Sequence, residues 1–326
     1  MMYTLPDGER YHVNHGDSIP YLLETMDAKS VDACITSPPF PQMFSYTEFD
    51  ADLGNSEDIH GDMKIHFGFF FKGLARVMKP GRVAIVHCMN IPKLGRREDT
   101  FDFRGFLIRL GKRAGLLYDN DWLVWRNPQA EAVRTHANGL LFVTMERDRS
   151  KSRAGMAEYL IKFIARGDNV VPINSVEITR DQWTEQASPC WHGIKPTQTL
   201  NTVEARGPKD TRHICPFALE TVTRLVKLYS NPGEVVFDPF TGLGTVGYEA
   251  IKFGRRFLGS EIKEEYHAAA LRNLSRAVRA IDCRPRSLLD VIEERADESD
   301  ESDESEASDE SEASDEVSPE FETVET

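Results

Sequence analysis

The sequence has few cysteines, no long apolar run and no excess of positive charge. Its five cysteines (34, 88, 190, 215 and 283) are odd in number and form no Cys-x-x-Cys pair, which argues against a disulfide framework and indicates reduced thiols. No apolar stretch approaches the roughly 20 residues that a membrane span needs, and residues 1–10 contain no signal-peptide core. We therefore expect a cytoplasmic protein without membrane contact, and its 326 residues suffice for one large α/β domain with an inserted smaller lobe.

The negative charge of the chain is concentrated near its end. The formal net charge is −14, but residues 296–326 contain fifteen Asp or Glu and no Lys or Arg, so removal of this tail leaves +1. The tail repeats Asp-Glu-Ser-Glu-Ala-Ser at 303–308 and 309–314 and has almost nothing apolar to bury, which predicts disorder. Two roles fit it: a solubilising tail, or a polyanion that occupies a basic nucleic-acid groove and suppresses non-specific binding.

Strands and helices alternate along the rest of the sequence. Ser18 is a plausible cap for the first helix. Such alternation is typical of an α/β fold with a mainly parallel, doubly wound sheet that binds ligands at the carboxyl ends of its strands. The pattern predicts strands at 11–14, 31–36, 83–87, 122–125 and 256–261, another strand from 235, and helices near 18–26, 62–78, 101–114, 216–229 and 246–253.

A Ser-Pro-Pro-Phe sequence follows the apolar strand at 31–36. Pro38 and Pro39 have fixed φ angles and no N–H donors, so their carbonyls and the hydroxyl of Ser37 are held as acceptors. Such acceptors, followed by the ring of Phe40, suit an exocyclic NH2 group on a planar heterocycle. These residues alone fit a proline-rich turn after a buried strand equally well.

A glycine-rich turn lies roughly two hundred residues further along, at Asp238-Pro-Phe-Thr-Gly-Leu-Gly-Thr245. Its glycines let a ligand approach the backbone, and the helix that follows offers free N–H groups to a negative group. No Lys-Ser or Lys-Thr pair follows, which argues against a nucleoside triphosphate loop, and the third glycine of a dinucleotide site is not cleanly placed.

The strand at 256–261 ends in an acid, Glu261. The end of the second strand is where a doubly wound sheet binds ribose hydroxyls through a carboxylate. Because the glycine turn lacks the marks of a phosphate site, an adenosyl cofactor without phosphates fits this combination. S-adenosylmethionine is the obvious candidate.

The periodicity weakens between about 130 and 212. We predict a lobe at 131–212 attached to a sheet built from 1–130 and 213–295. Basic and aromatic residues on such a lobe suit contact with phosphates and bases, although an ordinary charged surface with some core tryptophans is an equally good interpretation. The residues concerned are Arg134, His136, Arg147, Arg149, Lys151, Arg153, Trp183, Trp191 and Lys195.

The two motifs, in this order, resemble those of the DNA amino-methyltransferases, which methylate N4 of cytosine or N6 of adenine. The arrangement is the permuted one, in which the catalytic motif precedes the cofactor motif. The resemblance covers roughly residues 10–280 and rests on Ile-Thr-Ser-Pro-Pro-Phe at 35–40 and on the turn at 238–245. His-Ile-Cys-Pro-Phe at 213–217 and His-Gly-Asp at 15–17 resemble further elements of the family, and methyltransferases of bacterial viruses look similar.

The resemblance implies a Rossmann-like, S-adenosylmethionine-dependent sheet with an inserted target-recognition lobe. It implies that Ser37, Pro38 and Pro39 hold the target amine and that Phe40 stacks on its base, which must leave the DNA duplex. For the cofactor, it implies Glu261 at the ribose hydroxyls and Asp17 at the adenine. The residues implied at the methionine end are Asp238, Pro239, Phe240, Gly242, Gly244 and Thr245.

In the family that the chain resembles, serine rather than aspartate before the two prolines is more common among enzymes that methylate N4 of cytosine, so the resemblance implies cytosine N4 over adenine N6. Double-stranded DNA is then the partner, while a homodimer and the cognate endonuclease of a restriction-modification system are left open. An RNA or protein amine methyltransferase is one alternative, and a non-catalytic DNA-binding or decoy protein is another. Both intact motifs argue against the decoy.

Two other chemistries are weaker candidates. Pro189-Cys190 resembles the dipeptide that carries the nucleophile in C5-cytosine methylation, but it lies in the irregular lobe without a visible activating context. Cys190-x-His192 and His213-x-Cys215 could supply four zinc ligands, but their one-residue separations fall outside the usual spacing. We therefore expect no metal.

Overall fold

The computed structural model describes residues 3–41, 53–55, 58, 61–92, 99–135, 137–174, 177–200 and 217–283. Residues 1–280 form one unit and 281–326 a second. The acidic tail predicted to be disordered lies outside the described residues. None of the helices in the described ranges combines the length and apolar character that a membrane crossing requires.

A mixed sheet forms the centre of the first unit. Among the described strands, only β7 (Glu158–Ile164) is antiparallel to its neighbours, which are β3 (Met78–Met89) and β6 (Leu117–Val124). The other neighbouring strands are parallel. A separate ribbon pairs β4 (Ile91–Pro92) with β5 (Thr100–Phe101). In spatial order, the sheet contains β1 (Tyr11–His15), β10 (Arg256–Glu261), β9 (Val235–Asp238), β2 (Val31–Thr36), β3 (Met78–Met89), β7 (Glu158–Ile164), β6 (Leu117–Val124) and β8 (Cys190–Trp191).

Helices connect these strands, and local sequence explains where several of them begin. The side chain of Asp102 accepts a hydrogen bond from Gly105 N at 2.9 Å and caps α3, and Thr179 and Gln182 form a reciprocal capping box at α6. The helices are α1 (Ser18–Pro20), α2 (Asp62–Val77), α3 (Phe103–Arg113), α4 (Pro128–Thr135), α5 (Phe142–Arg147), α6 (Arg180–Gln186), α7 (Leu219–Tyr229), α8 (Thr245–Lys252) and α9 (Glu264–Asp282).

The main hydrophobic core lies between one face of the sheet and the helices α2 and α3. Ala84, Val86 and Cys88 alternate along β3 and belong to this core, so the intervening Ile85 faces the opposite side. There α7 and α8 pack on each other and on the strands β2 and β9. Helices therefore cover both faces, which confirms the expected doubly wound α/β class.

The amino-terminal edge of the sheet fixes the register of its two central strands. Asp32 of β2 is 4% exposed, and its Oδ2 accepts a hydrogen bond from Val235 N of β9 at 3.0 Å. Its Oδ1 accepts another from Lys79 Nζ at 2.7 Å, and the nearby Arg82 pairs with Glu234. This charged cluster holds β2 beside β9, so their opposite, carboxyl-terminal ends also lie side by side.

Most predicted elements are present, and two predictions need correction. The first helix is capped by Asp17, which accepts from Ile19 N at 2.8 Å, rather than by Ser18. The region 131–212 is not wholly a separate lobe, because it supplies β7 and β8 to the sheet.

The strand β7 carries a charged residue that the sequence pattern does not explain. Lys162 interrupts its apolar run, and the Lys162 ammonium pairs with Asp119 of β6 at 2.8 Å.

Candidate active site

The Ser-Pro-Pro-Phe loop and the glycine loop leave the sheet from adjacent parallel strands, β2 and β9. The last residues of the two strands are in direct contact, since Thr36 Oγ1 donates a buried hydrogen bond to Asp238 Oδ1 at 2.7 Å. The two residues are 202 positions apart in the sequence. The structure thus brings the two predicted motifs together at the carboxyl-terminal edge of one sheet.

The glycine loop is held by hydrogen bonds to Asp238 and by its own backbone. Asp238 Oδ1 also accepts from Phe240 N, and the Asp238 carbonyl accepts from Thr241 Oγ1, both at 3.0 Å. Gly242 and Gly244 have φ angles of 54° and 81°, in the left-handed region that favours glycine. The loop is therefore a fixed turn that delivers the chain to the start of α8.

The other predicted residues of this loop are largely enclosed. Pro239 is buried, and Thr245, the first residue of α8, is 5% exposed. The ring of Phe240 is partly exposed and packs on Phe70 of α2, with ring centroids 5.3 Å apart. The loop therefore offers mainly its backbone and the Phe240 ring to a ligand.

Burial raises the pKa of Asp238 to about 7, and the Glu261 carboxylate adds to this increase. The hydrogen bonds from Thr36 and Phe240 N oppose it. Asp238 is consequently poised between its neutral and charged forms near neutral pH. A positive group on a ligand beside it would favour the charged form.

Glu261 closes the glycine loop from the end of β10. Its carboxylate is 8% exposed and accepts hydrogen bonds from Gly242 N at 2.7 Å and from Lys263 N at 2.9 Å. The β1–β10 register places His15 opposite Glu261, so Asp17 follows at the neighbouring strand end. Burial raises the Asp17 pKa, although the hydrogen bond from Ile19 N acts in the opposite direction.

This edge fits an adenosyl cofactor. A Cβ atom at Gly242 would have only Phe240 O within 4 Å, at 3.9 Å, so the described residues leave space above that glycine. Carboxylates at two neighbouring strand ends can accept hydrogens from ribose hydroxyls and from an adenine amine. The same two negative charges would repel a phosphate, which agrees with a nucleoside that carries none.

The Ser-Pro-Pro-Phe loop presents Ser37 and Pro39, which are partly exposed, whereas Pro38 is buried. Phe40 is only 9% exposed, and its ring meets Phe103 edge-on with centroids 6.1 Å apart. Ser37 and Pro39 are thus more accessible than the ring of Phe40. The stacking role of Phe40 stays a prediction.

Ser37 also begins a series of hydrogen bonds that the motifs do not reveal. Ser37 Oγ lies 2.9 Å from His87 Nδ1, and His87 Nε2 lies 3.1 Å from Glu158 Oε2. Arg126 Nη2 donates to the same carboxylate oxygen at 2.5 Å. These residues come from the carboxyl end of β3, the start of β7 and the segment after β6, so all of them reach the edge where Ser37 lies.

Sequence analysis missed Thr36, His87, Glu158 and Arg126 as site residues. The sequence does place His87 at the end of the strand predicted at 83–87, where ligand-binding residues are found. A histidine at that position is also common as a buried core residue whose ring nitrogens are hydrogen-bonded. Glu158 precedes an apolar run, and nothing in the sequence pairs it with His87.

The predicted lobe residues have different environments. Trp191 is 1% exposed and packs on Trp122, so it belongs to the core. Arg153 pairs with Glu131 at 2.8 Å, and Trp183 is 57% exposed. His136 and the side chain of Arg134 lie outside the description. The residues that remain exposed are Arg147, Arg149, Lys151 and Lys195.

The two weaker chemistries gain no support at this edge. Cys190 belongs to β8, the last strand of the sheet and four positions from β2 in the strand order. His213 and Cys215 of the alternative zinc set lie outside the described residues. Within those residues, no group of three or more His, Cys, Asp or Glu is arranged to hold a metal ion.

Residues 31–272 match the model of the N6/N4 methyltransferase family, which is described as DNA methylase. Among curated proteins, the type II methyltransferase M.BglII of Bacillus subtilis is 36% identical over 283 residues. That match covers 82% of this chain and 70% of M.BglII.

Two solved structures share the fold. The protein TTHA0409 from Thermus thermophilus superposes with a TM-score of 0.60 at 22% identity, over 83% of this chain and 95% of that one, and it has also been solved in complex with S-adenosyl-L-methionine. The cytosine-N4-specific PvuII DNA methyltransferase gives a TM-score of 0.57 at 20% identity, over 82% and 89% of the two chains.

Proposed function

The chain belongs to the N6/N4 DNA methylase family, and from that premise we propose that it transfers a methyl group from S-adenosylmethionine to the exocyclic amine of a base flipped out of double-stranded DNA. The preferred target is N4 of cytosine. The proposal rests mainly on the hydrogen bond between Thr36 and Asp238, which brings the loop suited to an amine beside the loop suited to the cofactor.

The cofactor would be held at the ends of β1, β9 and β10. S-adenosylmethionine, when bound, supplies an electrophilic methyl group. Glu261 accepts from the ribose hydroxyls, Asp17 accepts from the adenine amine, and Asp238 faces the positively charged methionine end. The remaining lining residues would be Pro239, Phe240, Gly242, Gly244 and Thr245.

The target amine would be held by Ser37 and by the carbonyls of Pro38 and Pro39, with Phe40 against its base. These acceptors take the hydrogens of the amine and direct its lone pair towards the cofactor side of the edge. Catalysis is then positioning and electrostatics, with no covalent enzyme intermediate.

The choice of cytosine rests on serine before the two prolines. N6 of adenine is the alternative within the same family. N4-cytosine and N6-adenine methylation are distinguished by expressing the protein in cells without other DNA methylation and identifying the modified nucleoside by mass. We expect N4-methylcytosine, and N6-methyladenine in its place would overturn the preference.

We assign DNA contacts to residues 138–153, within the predicted target-recognition lobe. Arg147, Arg149 and Lys151 are exposed there and suit phosphates, and the 63% exposed Phe142 offers an apolar surface beside them. A homodimer, a cognate endonuclease and a cytoplasmic location stay predictions.

The activity itself is tested with a radiolabelled cofactor and DNA, RNA or protein as acceptor. We expect label in DNA alone, and Ser37→Ala should reduce its transfer by about 100-fold, because one preorganised acceptor of the amine hydrogens is lost. Label that appears only in RNA or protein would contradict the DNA assignment. Absence of transfer to all three would favour the non-catalytic alternative.

Cofactor binding is tested at Glu261. In Glu261→Gln, the amide can accept from Gly242 N or from Lys263 N but not from both, and the charge that strengthens hydrogen bonds to ribose is lost. We expect the Kd for S-adenosylmethionine, measured calorimetrically, to rise by about 10- to 100-fold, the equivalent of one charge-assisted hydrogen bond. The exposed Glu264, changed to Gln, is the control and should leave the Kd unaltered.

A further inference from the structure

Ser37 is the first of four side chains connected by consecutive hydrogen bonds. A loop that only holds an amine does not need the other three. Ser37 Oγ lies 2.9 Å from His87 Nδ1, His87 Nε2 lies 3.1 Å from Glu158, and Glu158 accepts from Arg126 at 2.5 Å. The order is hydroxyl, imidazole, carboxylate, guanidinium. Such a series can move a proton or fix its position.

Glu158 is ionised within this series. It is 9% exposed, and burial alone would raise its pKa, but the hydrogen bonds from His87 and Arg126 and the charge of the Arg126 guanidinium lower the Glu158 pKa. A carboxylate can only accept hydrogen bonds. His87 Nε2 must therefore carry the hydrogen that lies between the two groups.

This assignment fixes the direction of the next bond. A neutral imidazole with its hydrogen on Nε2 has a lone pair on Nδ1, so Ser37 donates its hydroxyl hydrogen to His87. Both lone pairs of Ser37 Oγ then remain for the hydrogens of a target amine. The acceptor role assigned to Ser37 thus depends on His87.

The surroundings of His87 shield its imidazole from bulk water, and the side chain is 12% exposed. The charged groups facing it are Glu158 from β7 and, behind that carboxylate, Arg126 after β6. The ring of Phe217 lies 4.7 Å from the imidazole, centroid to centroid, and that of Phe40 lies 6.2 Å away. The imidazole is therefore flanked by apolar rings on two sides.

We propose that His87 is the proton acceptor of methyl transfer, connected to the target amine through Ser37 and positioned by Glu158. This inference rests on the proposed function. The amine nitrogen gives its lone pair to the new N–C bond, while the electrons of the broken C–S bond stay on sulfur. The nitrogen then loses one proton to Ser37 Oγ as the hydroxyl proton passes to His87 Nδ1. His87 ends as an imidazolium paired with Glu158 and returns its proton to solvent after product release.

A serine, a histidine and an acid in series also constitute the triad of acyl-transfer enzymes. In several of those enzymes the backbone N–H of the residue after the nucleophile stabilises the oxyanion. Here that residue is Pro38, which has no N–H. The geometry therefore favours proton transfer from an amine over nucleophilic attack by Ser37.

The relay is tested with His87→Gln, which keeps a hydrogen-bonding side chain but cannot take up a proton. In single-turnover experiments with saturating cofactor and DNA, we expect His87→Gln to be about 100-fold slower than the wild type. Imidazole added to His87→Ala should restore part of the rate, because free imidazole can take up the proton in place of the missing side chain. Equal single-turnover rates in wild type and His87→Gln, or no rescue of His87→Ala by imidazole, would overturn the proposal.

A second measurement does not depend on turnover. Nitrogen-15 NMR of the cofactor-free protein, with the His87 signals assigned by their loss in His87→Gln, should show the hydrogen on Nε2, and Glu158→Gln should disturb that preference. A hydrogen on Nδ1 in the wild type would contradict the relay. Wild-type protein that methylates no DNA would contradict the proposed function instead, so the two failures are distinguishable.

Discussion

Asp238→Ala is expected to reduce DNA methylation by at least about 100-fold, the loss associated with a displacement of reacting groups by about 1 Å. The substitution removes the oxygen that accepts from both Thr36 Oγ1 and Phe240 N. Each buried donor left unsatisfied costs about 1–3 kcal/mol, so the free energy of unfolding should also fall. Single-turnover methylation and chemical denaturation measure the two effects.

The matched variant is Asp238→Asn, which keeps an acceptor oxygen for both donors but removes the carboxyl proton equilibrium. Burial raises the Asp238 pKa from 3.8 to about 7. Between these values the folded state holds a proton that the unfolded state has lost, so this group makes wild-type stability fall as pH rises from about 4 to about 7.

Asp238→Asn should lack this contribution and be less sensitive to pH than the wild type across that interval. An Asn variant whose unfolding free energy follows the wild-type pH profile would contradict the assignment. Asp238→Ala with full activity would contradict the joining of the two loops as a catalytic requirement.

Gly244→Ala should disrupt the cofactor loop and lower the free energy of unfolding by about 2–3 kcal/mol, since a left-handed backbone alone costs about 1–2 kcal/mol with a side chain. The φ angle of Gly244 is 81°, and an added Cβ would lie 3.3 Å from both Cα and Cβ of Ala270. To relieve this contact, the start of α8 must move away from α9. We expect cofactor affinity, measured calorimetrically, to fall by at least about tenfold, about 1.4 kcal/mol.

Gly233→Ala separates the cost of a left-handed backbone from the cost of the contact with Ala270. Gly233 has a φ angle of 80°, almost that of Gly244, but a Cβ there meets nothing within 4 Å. The control should therefore show the backbone cost alone and retain cofactor affinity. Equal losses of stability and affinity in the two variants would show that the contact with Ala270 is unimportant.

The sequence predicted the elements that carry local signals. The prediction of a strand at 31–36 agrees with the bounds in the structure, because Val31, Ala33, Cys34 and Ile35 form a short apolar segment that the proline-rich turn ends. The Ser-Pro-Pro-Phe and glycine loops were recognised because proline and glycine restrict or release the backbone wherever they occur. Glu261 was identified by its position at a strand end.

The residue types along the chain specify the chemistry of each loop and indicate that strand ends form the site. Which strand ends become neighbours depends on the assembled fold. The antiparallel strand β7 lies beside β3, and this strand order brings Glu158 to His87, 71 residues away, and His87 to Ser37, 50 residues away. No local preference specifies such a contact, because it depends on how the strands are ordered and in which direction each one runs.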